Sequence, residues 1–216
     1  MATLSVDQVR ANVAAMRAEL DAAARDAGRD PAEVELLAAT KYVAAADLPV
    51  LAEAGLRLVG ENRAQDLEAK VAAHGGLFTW DFIGHLQSRK VKQILPHVRL
   101  IHSVASDSVL RELERHAPPD TEVLVEVNVA GEEGKSGITP AELGAFIARS
   151  PVRVSGLMGM PPLADDPESS RPWFAALREL AGEHRLERLS MGTSQDFAVA
   201  VQEGATIVRA GSVLYA

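Results

Sequence analysis

A single lysine follows a short apolar segment near the start of the chain. Segment 34–40 is mostly apolar and too short for a typical helix, and Lys41 comes directly after it. A run of this length is typical of a strand buried in a parallel sheet. In sheets and barrels of this class, ligands bind at the carboxyl ends of the strands. An amine desolvated at that position would be a nucleophile for a carbonyl group and would form a Schiff base.

Two glycine-containing turns near the end of the chain supply groups suited to an anion. One turn is Gly192-Thr193-Ser194, which follows a short apolar segment. The other is Arg209-Ala210-Gly211-Ser212, which begins at the end of the next one. In eight-stranded barrels, backbone N–H groups and a helix N-terminus hold a ligand phosphate at this position. Ser194 also suits the N-cap of the next helix, a role compatible with the first. The Arg209 guanidinium needs a partner, such as a ligand atom or a carboxylate.

Short apolar segments alternate with helical patterns along the whole chain. The predicted strands are 34–40, 56–59, 78–83, 99–104, 122–129, 152–157, 186–191 and 206–209. This alternation indicates an α/β fold with a parallel sheet, and eight repeats favour closure into a single (β/α)8 TIM barrel. An amphipathic helix precedes the first strand and would complete the outer ring. Since no linker divides the chain, we expect one domain over residues 1–216.

Closure of the barrel would bring the residues that follow the strands to one mouth. The residues predicted there are Lys41, Asn62, Gly84 with His85, Ser103, Asn128, Met158, Ser194 and Arg209. Polar side chains that point into a barrel mouth are costly unless something binds them. Each of these residues taken singly is more often a turn or capping residue. Their joint placement is therefore what predicts a site.

Composition excludes several classes of protein. The 216-residue chain has a formal net charge of -8, so we expect no nucleic-acid or membrane partner. It contains no cysteine, which removes thiolate chemistry and cysteine-based metal centres, and the spacing of its histidines predicts no metal site. Gly134-Lys135-Ser136 is not a P-loop, because Val129 stands where that motif requires glycine. With no signal-peptide core or long apolar run, a cytoplasmic location is expected.

A lysine combined with a phosphate clamp fits two classes of ligand. One is a phosphorylated sugar, as in the lysine aldolases, and the other is pyridoxal phosphate. An aldolase would want a second lysine or carboxylate beside Lys41, and the other strand ends offer no obvious candidate. Arg209 suits pyridoxal phosphate, since an arginine can pair with the pyridine nitrogen.

Ordered segments over nearly the whole chain match the pattern of one protein family. They are Leu37–Lys41, Gly60–Gln65, Trp80–Lys90, Ile101–Val104, Val127-Asn128, Lys135–Gly137, Gly156–Met158, Leu189–Asp196 and Val208–Ser212. On these segments the chain resembles the YggS/PROSC-type pyridoxal phosphate homeostasis proteins. The family commonly has serine where Thr40 stands and methionine where Thr193 stands. Both are small changes beside the ligand and leave the binding assignment intact.

The resemblance implies a barrel similar to the N-terminal domain of alanine racemase, with pyridoxal 5'-phosphate as its cofactor. Lys41 would hold the cofactor as an internal aldimine. Ser194, Gly211 and Ser212 would hold its phosphate, and Arg209 would face its pyridine nitrogen.

Asn62 would line the same pocket. The resemblance further implies a carrier that buffers or delivers the cofactor and is not an enzyme. We expect a monomer, with apo forms of pyridoxal-phosphate enzymes as candidate partners. The alternative is a racemase-like enzyme acting on amino acids. Racemisation needs acid/base groups on both faces of the cofactor, and neither Tyr42 nor Tyr215 is obviously placed to supply the second. An arginine at the ring nitrogen also weakens the ring as an electron sink.

Overall fold

The computed structural model of the chain describes residues 4–216 and contains a closed barrel of parallel strands in the order β1 to β8. The strands are β1 (Glu35–Ala39), β2 (Leu58–Glu61), β3 (Thr79–Phe82), β4 (Leu100–Val104), β5 (Glu122–Glu126), β6 (Arg153–Met158), β7 (Arg188–Ser190) and β8 (Ile207–Ala210). Strand β8 pairs with β1 from Glu35 opposite Ile207 to Ala38 opposite Ala210, which closes the ring. The predicted barrel is therefore confirmed.

Helices alternate with the strands and form the outer layer. They are α1 (Val6–Asp26), α2 (Leu48–Glu53), α3 (Ala64–His74), α4 (Val91–Ile94), α5 (Asp107–His116), α6 (Leu143–Ala148), α7 (Arg171–Glu183) and α8 (Phe197–Gln202). The leading helix α1 packs against α2 and α8. It thus occupies the place beside the last strand that the sequence assigned to it.

Several strands are shorter than predicted, and the fifth shows a local reason. The fifth was expected over 122–129 but ends at Glu126. Val127 bridges to Ile138 instead, and the Asn128 N–H donates to the Ile138 carbonyl at 2.9 Å. The Val127 N–H still donates to the Met158 carbonyl of β6 at 2.9 Å, but the returning loop takes the hydrogen bond of Asn128, and β5 ends at Glu126.

Two apolar layers form because successive side chains of a strand point to opposite faces of the sheet. The inner cluster contains Leu37, Leu100, Leu124, Met158 and Ile207, with the partly buried Leu58 and Ile83 packed against it. The larger outer cluster fills the space between strands and helices. No helix in residues 4–216 combines the length and apolar character needed to span a membrane.

Two glycines set the shape of the mouth. A Cβ on Gly84 would lie 2.1 Å from the Asn62 carbonyl oxygen, so only glycine lets the turns after β2 and β3 approach this closely. Gly192 has φ +87°, a left-handed conformation that glycine adopts without strain, in the turn that carries Ser194. The sequence thus fixes the backbone on which Asn62 and Ser194 are displayed.

Candidate functional site

A cavity of about 1110 Å³ opens at the carboxyl ends of the strands. All six residues predicted to bind a cofactor line it, namely Lys41, Asn62, Ser194, Arg209, Gly211 and Ser212. They come from the segments after β1, β2 and β7 and from the end of β8. The cavity is slightly larger than the usual range for small-molecule sites, about 300–1,000 Å³, so a phosphorylated ring compound fits in it.

Lys41 stands at the rim of this cavity. It is the second residue after β1, and its Nζ lies 4.9 Å from the centroid of the Tyr42 ring. Both side chains are exposed. The expectation that burial would desolvate this amine was wrong, because the turn after β1 carries the side chain outward. The amine is therefore open to ligands that arrive from solvent.

Beneath Lys41 lies a buried polar cluster of Thr40, Glu61 and Lys70. The Lys70 Nζ lies 2.5 Å from the Glu61 Oε1 and donates to the Thr40 carbonyl at 2.8 Å. The Thr40 hydroxyl donates to the same carboxylate oxygen at 2.6 Å. These bonds tie the backbone that presents Lys41 to β2 and α3. A buried ion pair with this many hydrogen bonds fixes geometry more than it stabilises the fold.

Lys70 was missed at the level of sequence. It lines the cavity, although the strand ends had offered no second lysine. The signal was present in the helical pattern: Ala64, Leu67 and Lys70 are spaced by three and are all buried on one face of α3. A lysine in that stripe predicts a buried carboxylate partner nearby, which is Glu61.

Two turns bring hydroxyl groups to the wall of the cavity. The Ser194 Oγ accepts from the Gly211 N–H at 3.5 Å, which links the turn after β7 to the end of β8. In residues 4–216, no protein acceptor takes the N–H groups of Ser194 and Gln195. A Cβ built on Gly211 would meet no atom within 4 Å, so this residue leaves open space at the cavity wall. Hydroxyls, free N–H groups and open space together suit a phosphate.

Ser194 is not the N-cap of the following helix. Helix α8 begins at Phe197, so the N-cap position belongs to Asp196. The Asp196 carboxylate accepts from the Thr193 N–H at 2.7 Å and from the Thr193 hydroxyl at 3.1 Å. The Ser194 hydroxyl thus stays at the cavity, and the carboxylate is held on the turn.

Arg209 is buried in β8, and its partners are neutral oxygens. One terminal nitrogen donates to the Ser190 carbonyl at 2.8 Å and to the Ser190 hydroxyl at 2.7 Å. The other donates to the Gly159 carbonyl at 3.1 Å. Burial lowers the pKa of Arg209 to about 10, although the charges of Asp196 and Glu126 oppose this. The guanidinium remains charged at neutral pH, without the carboxylate contact that was one of its expected partners.

Tyr215 also reaches the cavity. Its hydroxyl donates to the Ala39 carbonyl at 3.3 Å. Burial, followed by the charge of Glu61, raises the pKa of Tyr215 above its usual range. The phenol is therefore a poor proton acceptor near neutral pH.

Four other residues predicted at the strand ends have separate roles. The Ser103 hydroxyl donates to the Gly84 carbonyl, and His85 is exposed. The Asn128 side chain bonds the backbone of Glu132 in both directions, at 2.8 and 3.1 Å. Met158 belongs to the inner core. These residues build turns or core, as the more ordinary interpretation of each suggested. In residues 4–216 no group of three histidine, aspartate or glutamate side chains is placed to hold a metal ion.

The chain is similar to known proteins over nearly its whole length. Residues 4–216 match the family model described as the alanine racemase N-terminal domain. The chain is 42% identical over 203 residues to the pyridoxal phosphate homeostasis protein of Aquifex aeolicus, covering 88% of this chain and 89% of that one. It is 39% identical over 214 residues to the protein of that name in Pseudomonas aeruginosa, with 94% and 93% covered. The solved structure of PipY from Synechococcus elongatus with pyridoxal phosphate bound superimposes with a TM-score of 0.81 at 31% identity, over 96% of this chain and 100% of that chain.

Proposed function

This chain belongs to the pyridoxal phosphate homeostasis family, and we propose that it binds pyridoxal 5'-phosphate and acts in its homeostasis. The observation that carries the proposal is the convergence of an exposed amine, a buried arginine and two serine hydroxyls on a single cavity. An aldehyde, a ring nitrogen and a phosphate are the three features of this cofactor that those groups match.

Lys41 is the proposed attachment point, holding the cofactor aldehyde as an internal aldimine. The reasons are its place at the cavity rim and the rigid Thr40 backbone beneath it. Lys70 also lines the cavity, but its ammonium is held by Glu61 at 2.5 Å and is nine-tenths buried. A lysine already paired in this way is a poor nucleophile, so Lys41 is preferred.

The remaining residues fit the rest of the cofactor. We assign Ser194, Gly211 and Ser212 to the phosphate, because two hydroxyls, free N–H groups and unfilled space meet there. Arg209 is assigned to the ring nitrogen, since it is a buried cation of the cavity wall that, unlike Lys70, has no carboxylate contact. Asn62 is assigned to the side of the pocket beside Lys41.

A carrier fits these residues better than an enzyme of amino-acid metabolism. Arg209 stays protonated near neutral pH, so it acts as a donor to the ring nitrogen and leaves that nitrogen unprotonated. This weakens the ring as a sink for electrons, which racemisation needs. Tyr215 holds its proton for the reason given above, and Tyr42 is 85% exposed. Neither tyrosine is suited to proton exchange at a bound amino acid.

Exposure of Lys41 supports buffering or delivery of the cofactor. An amine at the rim can be reached by water and by the amines of other proteins, so cofactor held there can leave without a large opening of the barrel. We propose apo forms of pyridoxal-phosphate enzymes as the recipients.

Binding is tested by titrating the purified protein with pyridoxal phosphate and recording visible absorbance. The protein as purified should develop the absorption band of a lysine adduct, and Lys41→Ala should not. Lys92→Ala removes an exposed lysine of α4 and is the matched control, which should behave as the unmodified protein. An equal band in Lys41→Ala would refute Lys41 as the attachment point. Delivery is tested by mixing the loaded protein with an apo-aminotransferase, which should regain activity faster than it does with buffer alone.

The enzymatic alternative makes a different prediction. A racemase-like protein would exchange the α-hydrogen of small amino acids for deuterium, and Lys41→Ala would abolish the exchange. A carrier of the proposed kind shows no such exchange above that of free pyridoxal phosphate.

A further inference from the structure

A continuous line of hydrogen bonds runs through the interior of the barrel behind Arg209. The Ser190 Oγ lies 2.7 Å from Arg209 and 2.8 Å from the Nδ1 of His102. The Nε2 of His102 lies 3.1 Å from the Asp81 Oδ2, and Arg99 donates to both Asp81 oxygens at 2.8 and 3.1 Å. Ser190, His102 and Asp81 have no solvent exposure.

These side chains occupy positions that an apolar core would otherwise fill. Asp81 lies two residues before Ile83, His102 two residues after Leu100, and Arg209 two residues after Ile207. Leu100 and Ile207 belong to the inner cluster, and Ile83 packs against it. Since side chains alternate between faces, all three point into the barrel. Buried polar groups cost stability unless fully bonded, and apolar residues of similar size often do as well or better there. Stability alone therefore does not explain why these polar residues occupy the interior of the barrel.

The donors and acceptors admit one consistent arrangement. Arginine can only donate, so the Ser190 oxygen accepts from Arg209 and gives its single hydrogen to His102. His102 then accepts at Nδ1 and carries its hydrogen on Nε2, which donates to Asp81. Burial lowers the pKa of His102 despite the bond to Asp81, so the ring is neutral, as this tautomer requires. Burial acts to raise the pKa of Asp81, but the bonds from His102 and Arg99 outweigh it and keep the carboxylate charged.

We propose that Ser190, His102 and Asp81 are positioning residues. They hold the Arg209 guanidinium in the orientation in which it donates a hydrogen bond to the ring nitrogen of pyridoxal phosphate. The proposal rests on the proposed function and extends it, because it assigns the selectivity for a pyridine ring to residues that do not line the cavity. Ser190 touches Arg209 directly, His102 fixes the direction of the Ser190 hydroxyl, and Asp81 fixes the tautomer of His102. Without these three side chains, Arg209 would keep its two carbonyl partners and lose the hydrogen bond to the Ser190 hydroxyl, which sets its orientation.

The test compares two aldehydes on two variants. The probes are pyridoxal phosphate and its benzene-ring analogue, in which a C–H replaces the ring nitrogen. Ser190→Ala removes the hydroxyl between Arg209 and His102. Ser155→Ala is the matched control, since Ser155 is a buried serine of β6 whose hydroxyl has no partner in residues 4–216. Apparent dissociation constants are measured by absorbance.

We expect the unmodified protein and Ser155→Ala to prefer the pyridine ring by about tenfold, as one hydrogen bond from a charged donor provides. In Ser190→Ala the preference should fall to about twofold or less, with the analogue bound almost as before. A merely structural role would weaken both aldehydes equally, and that result overturns the proposal.

A second variant keeps the proposal testable if Ser190→Ala fails to fold. His102→Gln keeps an acceptor and a donor but not the ring geometry, and it should lower the same ratio by a smaller factor. Equal binding of both aldehydes by the unmodified protein refutes this inference and leaves the proposed function standing. Binding of neither aldehyde refutes both.

Discussion

The two ends of the barrel differ in the partners of their arginine side chains. At the amino end, three arginines of the rim each face at least one carboxylate. The pairs are Arg99 with Glu35 at 2.6 Å, Arg188 with Glu35 and Glu122 at 3.7 Å each, and Arg153 with Glu122 at 2.6 Å and Glu187 at 3.8 Å. At the carboxyl end, Arg209 contacts neutral oxygens. These paired residues form the amino-end ring, whereas Arg209 at the carboxyl end has no carboxylate within hydrogen-bond distance.

This difference separates residues that close the fold from residues that bind a ligand. Pairing at the amino end leaves little for an outside ion to gain. At the mouth, Arg209 has no carboxylate within hydrogen-bond distance, and the N–H groups of Ser194 and Gln195 have no protein acceptor within residues 4–216. An anionic, aromatic ligand would supply what this end lacks. In barrels generally, chemistry lies at the carboxyl end and stability at the amino end.

Asp81 is the residue where the two ends meet, so its loss should have the largest effect. It accepts from Arg99 of the amino-end ring and from His102 of the chain behind Arg209. We expect Asp81→Ala to lower the free energy of unfolding by about 3 kcal/mol, because it leaves the buried His102 without its acceptor and removes one of the two carboxylates that Arg99 contacts. Urea unfolding followed by circular dichroism measures this. A loss below about 1 kcal/mol would mean that the two ends are independent.

The phosphate assignment predicts a smaller effect, confined to binding. Replacing both Ser194 and Ser212 by alanine should weaken pyridoxal phosphate binding by about ten- to a hundredfold, since two hydrogen bonds to a charged group are lost. Pyridoxal, which lacks the phosphate, should bind with unchanged affinity. Because Ser212 is exposed and Ser194 only partly buried, stability should stay within about 0.5 kcal/mol. Equal weakening of both aldehydes would place the phosphate elsewhere.

The buried hydrogen bonds of His102 to Ser190 and Asp81 also predict how the free energy of unfolding responds to acid. The pKa of His102 lies below its ordinary 6.5 in the folded protein, so below that pH the unfolded chain binds more protons. Stability contributed by neutral His102 is therefore present above pH 6.5 and is lost as the pH falls through its folded pKa. The groups facing it are Asp81, Ser190 and the charges of Arg99 and Arg209.

Thermal melts between about pH 8 and pH 5 measure this effect. The melting temperature of the unmodified protein should fall more steeply with acid than that of His102→Gln. Parallel curves for the two proteins would show that His102 titrates as it does in the unfolded chain.

The smallest effect is expected in the amino-end ring. Arg153 is mostly exposed and pairs at the surface with Glu122 and Glu187. Arg153→Gln should change the free energy of unfolding by about 0.5 kcal/mol or less, because solvent screens such pairs, and should leave cofactor binding unchanged. A change in pyridoxal phosphate affinity would show that this end also takes part in binding.

Strand ends could be located from sequence, and with them most of the candidate site. Lys41, Asn62, Ser194, Arg209, Gly211 and Ser212 all line one cavity because a closed barrel brings every carboxyl end together. Exposure of a side chain could not be predicted in the same way. It depends on the turn after the strand, and the turn after β1 carries Lys41 outward.

Polar residues inside the strands were harder to recognise. His102 and Ser190 are single polar positions in apolar segments, and their meeting depends on the register between β4, β7 and β8. A register shift between β4 and β5 lies at 101–104, beside His102. Pattern alone does not reveal such a shift. Lys70 could not be predicted from the strand ends, because it lies in the buried stripe of helix α3.

The central claim is that one exposed amine at the mouth captures the cofactor. Its most direct test is to treat the protein with pyridoxal phosphate, reduce with borohydride, digest with a protease and locate the phosphopyridoxyl group by mass spectrometry. The account predicts one modified site, Lys41, at close to one group per chain. A label on Lys70 or on surface lysines in its place, or no stable label at all, would contradict it.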